Sequence, residues 1–398
     1  MPNALRRWLG FAAPDRKSTV PPLGGSGALA LYLGGRPAWS ARDYAGLAQA
    51  GFQRNAIVHR AVRLVAEAAA SLPLSVVDRG EAADDHPLVR LLTRPNGRET
   101  GTAFLERVYG HLLVSGNAYI QLVSLDGEPR QMFALRPDRT AAVPSPDGWP
   151  AAYDYAVGSR RLRFDMTGRD RGAPAPILHL TLFHPLDDVQ GLAPMEAAAS
   201  ALDLHNAASA WNKALLDNAA RPSGALVFAG GAGALNDAQF DRLKAELEAN
   251  YQGAANAGRP LLLEGGLDWR PLSLTPKDMD FVEAKAAAAR EIALAFGVPP
   301  LLLGLPGDNT HANYAEANRA FYRQAVIPLA RRTAEAIAAW LEPAWGSSLS
   351  VQPDLDAIEA LASERESLWR RVGAAPFLSA DEKREAVGYA RRLPGDAP

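Results

Sequence analysis

The stretch TPKDMDFVEAKAAAAREIALAFGVPPLLLG, residues 275–304, decides the fold. Thr275 is a helix-capping residue, Pro276 suits the first helical position, and Asp278 and Asp280 sit near the positive end of the helix dipole. Val282, Ala286, Ala289, Ala293 and Phe296 recur at steps of four, three, four and three, a narrow coiled-coil-like stripe. Gly297 stops the helix and Pro299-Pro300 bars its resumption. A helix of this length spans roughly 30 Å. It reads as a strut that carries mechanics, not as an active site.

Downstream, a Pro-Gly-rich loop over 298–313 leads into a helix, Tyr314–Leu341, that Pro328 should kink. A further helix is expected from Pro353 to Val372, and a last one from Ser379, where Glu382 completes a capping box. Upstream, Pro194–Ala220 is one long helix with Leu204, Ala208, Trp211 and Leu215 on a single face. Between the two long helices, 222–274 reads as strand (Gly224–Phe228), glycine loop, helix capped by Asn236, strand (Leu261–Leu263) and a strand-like piece ending at Leu274. The chain goes out along one helix, builds a small α/β unit, and returns along another.

The first half has a different pattern. Residues 1–38 combine a short amphipathic patch (Leu5, Trp8, Leu9, Phe11) with Pro and Gly pairs, the composition of a mobile arm. Ile57, Ala61, Leu64 and Ala68 mark one face of a helix ending before Pro73, and Leu74–Val77 is a short strand. A helix over about Thr102 to Ser115 turns Phe104, Val108 and Leu112 inward and stops at Gly116. Strands follow at Ala118–Val123, Met132–Leu135, Tyr153–Val157, Arg161–Phe164 and Ile177–Phe183, with Asp126-Gly127 as a hairpin turn. The expected class is α+β and multi-domain, with a mainly antiparallel sheet in the first half.

Composition narrows function. At 398 residues the chain has material for two or three domains, and 48% hydrophobic with 22% charged residues describes a globular protein. No apolar run approaches the roughly 18 residues a membrane span needs, and residues 8–13 are too short and broken for a secretory signal. Cytoplasmic synthesis is the default. The absence of cysteine excludes disulfides, thiolate metal sites and cysteine nucleophiles. A net charge of −2 lacks the positive excess of a protein that grips phosphates; a surface past which DNA slides and most cytoplasmic enzymes share this balance, so it separates them only weakly.

Enzyme motifs are thin. Gly230-Gly231-Ala232-Gly233-Ala234-Leu235-Asn236 follows a strand and precedes a helix like a dinucleotide fingerprint, with Glu264 after the next strand. Its third glycine position is Asn236, already needed as a cap, and Glu264 lies 31 residues beyond Gly233, against the usual ~20. His179 and His184 are five apart on a strand and face opposite ways, and the His184–Asp188 segment reads as an Asp-stabilised turn rather than a metal loop. No catalytic residue, metal site or cofactor is expected. The faces opposite the helical stripes carry Lys213, Asp217, Lys277, Asp280, Glu283, Lys285, Arg290 and Glu291 in mixed sign. Packing within one subunit and packing between subunits of a ring are both open readings of those stripes.

Taken in order, the motifs resemble the phage portal protein family of the Hong Kong 97 type. Asn55-Ala56-Ile57-Val58 through Pro73-Leu74, then His86-Pro87-Leu88, Leu91-Leu92 and Arg94-Pro95-Asn96, are similar to its first helix and "HPL-LL-PN" segment. Gly116-Asn117-Ala118-Tyr119 resembles its "GNAY" strand start. Asp188, Gly191, Pro194 and Met195 stand where the family has an aspartate and "G-SP", with Ala193 in place of the serine. Leu272–Phe281, Glu291-Ile292-Ala293, Phe296–Pro300 and Leu303-Gly304 match the most diagnostic stretch, continued by Asn313–Glu316 and Phe321–Pro328. Leu378–Arg384 resembles its C-terminal "LT-NE-R" segment, so the likeness spans roughly 52–396.

The resemblance implies a homo-oligomeric ring, usually of twelve, at one capsid vertex, with double-stranded DNA passing through it without sequence preference. It implies as partners the major capsid protein, the terminase large subunit and a head-tail adaptor, with no membrane, in a virion or phage-like particle. Mapped onto this chain, it implies a flexible arm (1–30), wing (31–192), stem helix (193–221), clip (222–275), second stem helix (276–298), channel loop with kinked helix (299–345) and crown (346–398). The implied channel loop is Pro306, Gly307, Asp308, Asn309, Thr310 and His311. The stem surface is Lys277, Asp280, Glu283, Lys285 and Arg290, and the docking surface of the clip is Arg242, Lys244 and Glu246. The alanine- and arginine-rich bias and short length also suit a gene transfer agent. The alternative is a cytoplasmic nucleotide-binding enzyme built on the 224–264 unit.

Overall fold

A computed structural model describes residues 39–167, 173–217, 224–228, 267–271, 281–307, 310–345 and 348–389, with isolated positions 238, 241, 242 and 245. The chain divides into a large unit, 38–214 with 275–398, and a small one that includes 215–274.

In the large unit, a short helix α1 (Tyr44–Leu47), capped by Asp43, continues into a π turn over Ala48–Gln53. Helix α2 (Ala56–Ala70) starts at Asn55, whose side-chain oxygen accepts from the backbone N–H of Ile57 and Val58 at 3.0 and 3.1 Å. Its buried face is Val58, Ala61, Val62, Val65, Ala66 and Ala69. The expected face of Ile57, Ala61, Leu64 and Ala68 is displaced by about one position: those residues, Ala61 apart, are half-buried on its flank. Small side chains turn toward the closest neighbour, helix α4.

Strands β1 (Leu74–Asp78) and β2 (Glu81–Ala82) precede helix α3 (Pro87–Thr93), which has Pro87 in its first turn and the His86 ring accepting from Leu88 N–H. Helix α4 (Gly101–Ser115) is capped by Thr100 and ended by Gly116 at φ +72°. Strands β3 (Asn117–Leu125) and β4 (Glu128–Leu135) form a hairpin through Asp126 and Gly127, both at positive φ, as a two-residue turn of this type demands. Strands β5 (Thr140–Pro144), β6 (Pro150–Val157) and β7 (Arg160–Asp165) make a second sheet in that order, and β8 (Ile177–Thr181) joins β3 in the order β4-β3-β8. Every pairing among the described strands is antiparallel. The α+β class with small antiparallel sheets is what the patterning predicts.

The long helices enter this core. A single turn α5 (Pro194–Ala197) precedes α6 (Ala199–Asp217), so the expected continuous helix breaks at Ala198. Its buried side is Ala201, Leu202, His205 and Ala208, whereas Leu204 is exposed, which corrects the predicted stripe. Helix α7 (Phe281–Ala295) buries Ala288, Ala289, Ile292 and Ala293, followed by Phe296, while Val282 at its start is exposed. The stripe therefore packs inside the subunit only over its C-terminal half. The predicted start at Thr275 and Pro276 lies outside the described residues.

Helix α8 (His311–Phe321) passes through a π turn (Tyr322–Val326) into α9 (Ile327–Trp345). The π turn takes the place of a simple proline kink: Ile327 N–H reaches back to Tyr322, and Pro328, with no N–H to give, falls in the first turn of the new helix. Strand β11 (Leu349–Pro353) pairs with β1, Val351 opposite Val76. The helix expected from Pro353 begins only at Ala362, as α10 (Ala362–Gly373), and α11 (Ala380–Ala386) carries the predicted Ser379–Glu382 capping box. In the small unit, β9 (Gly224–Phe228) pairs antiparallel with β10 (Leu267–Pro271).

Candidate nucleic-acid interface

The loop between α7 and α8 is built from its helix ends inward. Gly297, at φ +64°, donates to Leu294 O at 3.0 Å, and Val298 N–H donates to Ala293 O at 2.9 Å. These two bonds close a Schellman motif, and the burial of Val298 seals it. Pro300–Leu303 forms a 3-10 turn ended by Gly304, also at positive φ, with Leu302 and Leu303 packed against the core. The loop therefore has an anchored base and an exposed tip at Pro306 and Gly307.

A second anchor comes from α7. Arg290 Nη2 donates to the carbonyl of Pro306 at 2.6 Å, so this exposed arginine ties the loop to α7 while keeping its charge and further N–H donors. Sequence reading placed Arg290 and Pro306 in separate groups; nothing local links residues 16 apart. Thr310 is the N-cap of α8, its hydroxyl accepting from Asn313 N–H, and His311 is the first helical residue. The predicted loop is therefore shorter than 306–311. Asp308 and Asn309 lie outside the described residues.

The other predicted positions scatter. Glu283 is exposed on α7 and Lys285 is half-buried, close enough to His205 that its charge adds to burial in lowering the His205 pKa. The neutral His205 ring accepts at Nδ1 from Asn55 Nδ2 at 3.0 Å. Lys277 and Asp280 lie outside the described residues, as do Lys244 and Glu246; Arg242 is helical and exposed. The glycine motif at 230–236 and Glu264 also lie outside them. The described strands of that unit are antiparallel, unlike the parallel neighbours of a dinucleotide fold. The positions that sequence reading missed are the exposed Tyr314 in the first turn of α8, and Glu364, which pairs with Arg319 and Arg323 and joins α8 and the π turn to α10.

On β8, His179 stacks on Tyr119 of β3, accepts from the Tyr153 hydroxyl at Nδ1 (3.1 Å) and donates from Nε2 to Asn117 Oδ1 (3.0 Å). Burial lowers its pKa to about 4, so it is a neutral structural ring. The His184 ring accepts from Leu186 N–H and Asp187 accepts from Val189 and Gln190 N–H, so the predicted Asp-stabilised turn is present. No group of three metal-ligating side chains occurs among the described residues. None of their helices is long and apolar enough to cross a membrane.

A sequence model described as phage portal protein matches residues 56–388. The chain belongs to the phage portal protein family. A protein of Rickettsia bellii is 41% identical over 87% of this chain and 89% of its own length. The portal protein of enterobacteria phage HK97 is 25% identical over 82% of this portal-family chain and 77% of its own. Among solved structures, a chain in the neck of a native GTA particle computed with C12 symmetry is 53% identical, covers 90% of this chain and 96% of itself, and gives a TM-score of 0.67. An HK97 family phage portal protein from Corynebacterium diphtheriae, 17% identical with a TM-score of 0.57 over 81% of this chain and 99% of its own, shares the fold.

Proposed function

We propose that this portal-family chain assembles as a ring, of twelve subunits, at the head-tail vertex of a phage-like particle that carries DNA. The observation that carries this reading is the 53% identity, over 90% of the chain, to a component of a particle neck computed with C12 symmetry. The ring is a passive conduit rather than an enzyme. Double-stranded DNA passes its channel during packaging and ejection, the major capsid protein surrounds it, and a terminase and then a head-tail adaptor dock on it in turn.

The α7–α8 loop lines the channel. Its sequence, Pro306 to His311, is polar and glycine-containing, and short polar side chains touch phosphates weakly, so DNA slides past it without sequence preference. Low net charge fits a conduit for the same reason. Alanine at Asn309 and His311, with the Thr310 cap left intact, is expected to lower DNA retention or passage in particles whose portal content is unchanged. Normal packaging and ejection by such particles would remove the loop from the mechanism.

A further inference from the structure

The segment between β8 and α5 ends in an exposed apolar tip. Phe183 is 78% exposed and Leu186 91% exposed, although both are large hydrophobic side chains. The tip is held rigidly. Leu186 N–H donates to His184 Nδ1 at 3.1 Å, and Asp187 Oδ1 accepts from Val189 and Gln190 N–H at 2.8 and 2.7 Å. At its base, Gly191 N–H donates to Asn117 Oδ1 at 2.8 Å, and Leu182 N–H to Gly116 O at 2.8 Å. Gly116 and Gly191 are so close that a Cβ on Gly191 would lie 2.1 Å from the Gly116 carbonyl oxygen. Two exposed acids, Asp187 and Asp188, directly follow Leu186. Exposed hydrophobic side chains on a preorganised loop are the ordinary form of a binding anchor, because little ordering entropy remains to be lost.

The same chain carries a socket of complementary character. A groove of about 570 Å³ runs between the π turn after α1, α2 and α4, lined by Phe52, Val62 and Ala66 and, at its exposed side, Ala103. Arg63, Arg107 and Arg136 line it and keep side-chain exposures of 49%, 53% and 50%. Each pairs with one carboxylate, of Glu67, Glu99 and Asp138 respectively, and keeps further N–H donors. Glu106 also lines the groove. Its volume lies in the range of roughly 300–1,000 Å³ typical of small-molecule pockets.

We propose that the Phe183–Asp188 tip of one copy seats in the α2–α4 groove of the next copy, with Phe183 and Leu186 on its apolar floor and the two aspartates toward its arginines. The exposure of Phe183 and Leu186 shows that the tip does not fill the groove of its own chain. Tip and groove are different patches, so the contact is heterologous, and repeated contacts of that kind close into a ring where the rotation permits. The proposal rests on the ring reading above and adds the surfaces that join its subunits.

The chain has no native cysteine, which makes cross-linking a clean test. In the full chain carrying Leu186→Cys and Ala103→Cys, oxidation of the assembled protein is expected to give a denaturing-gel ladder of two, three and more linked copies. Either single variant gives no species beyond a dimer. The pair Phe183→Ser and Leu186→Ser, at sites with almost no intrachain burial, is expected to weaken assembly on the order of 100-fold with unchanged circular dichroism. Rings that form normally without a ladder, or with only an intramolecular cross-link, overturn this contact and leave the ring reading standing. A chain that stays monomeric by native mass overturns both.

Discussion

Arg290 shows how a surface charge in the sequence becomes an internal fastening. Its guanidinium is exposed but donates to Pro306 O at 2.6 Å, across the base of the loop. Arg290→Ala is expected to raise amide exchange at Leu305 and Gly307 several-fold while changing global stability by less than about 1 kcal/mol, because the bond is solvent-accessible. Equal exchange in both proteins would show that the Schellman turn alone fixes the loop. The histidines give a second residue-scale expectation. Burial lowers His111 and His179 to about 4, and nearby Arg107 adds to the effect at His111. An unfolded histidine titrates near 6.5, so between those values the unfolded chain binds more protons. The stability tied to these neutral rings is complete above about pH 6.5 and is lost as pH falls toward 4, at up to roughly 1.4 kcal/mol per pH unit for each histidine. Denaturant midpoints across pH 4–7 check this. His179→Phe, which cannot protonate, is expected to flatten the slope even though it sacrifices two hydrogen bonds.

Among the elements, the junction of α2 and α6 depends on Asn55. This buried side chain caps two N–H groups of α2 and donates to His205 Nδ1 and Asn206 Oδ1 on α6. Asn55→Ala is expected to cost roughly 2–4 kcal/mol, a lost cap plus two orphaned acceptors, the buried His205 and the half-buried Asn206. Asn55→Asp keeps the cap but neither donation, so equilibrium unfolding should show no full rescue. Elements of this kind were legible where their signals are local. Gly297, the Asp126-Gly127 turn and the Ser379–Glu382 box act within a few residues, and each appears as expected. Strand β11 was not legible because five residues, Leu349–Pro353, become a strand only by pairing with β1, more than 270 positions away. The stripes of α2, α6 and α7 were misplaced in part because alanine-rich helices show several nearly equivalent faces. Tertiary neighbours choose among them, and exposed Leu204 and Val282 record the choice. Much the same holds for the loop: its composition marked it, while the Pro306 anchor and the Thr310 cap emerged only with the fold.

For the molecule as a whole, the proposed ring makes one chain a part rather than a finished object. One core holds the inner halves of both long helices, whereas Leu204, Val282, Leu294, Phe183 and Leu186 lie in solvent on a single copy. On the ring reading proposed above, neighbours of the same chain cover such surfaces. The measurement closest to this claim is the native mass of the purified full-length chain, paired with electron micrographs of the same sample. The account predicts closed rings with twelve-fold symmetry and a mass near twelve times 42.5 kDa. Monomers or dimers alone, in a preparation that is folded and concentrated well above the micromolar range, would contradict it.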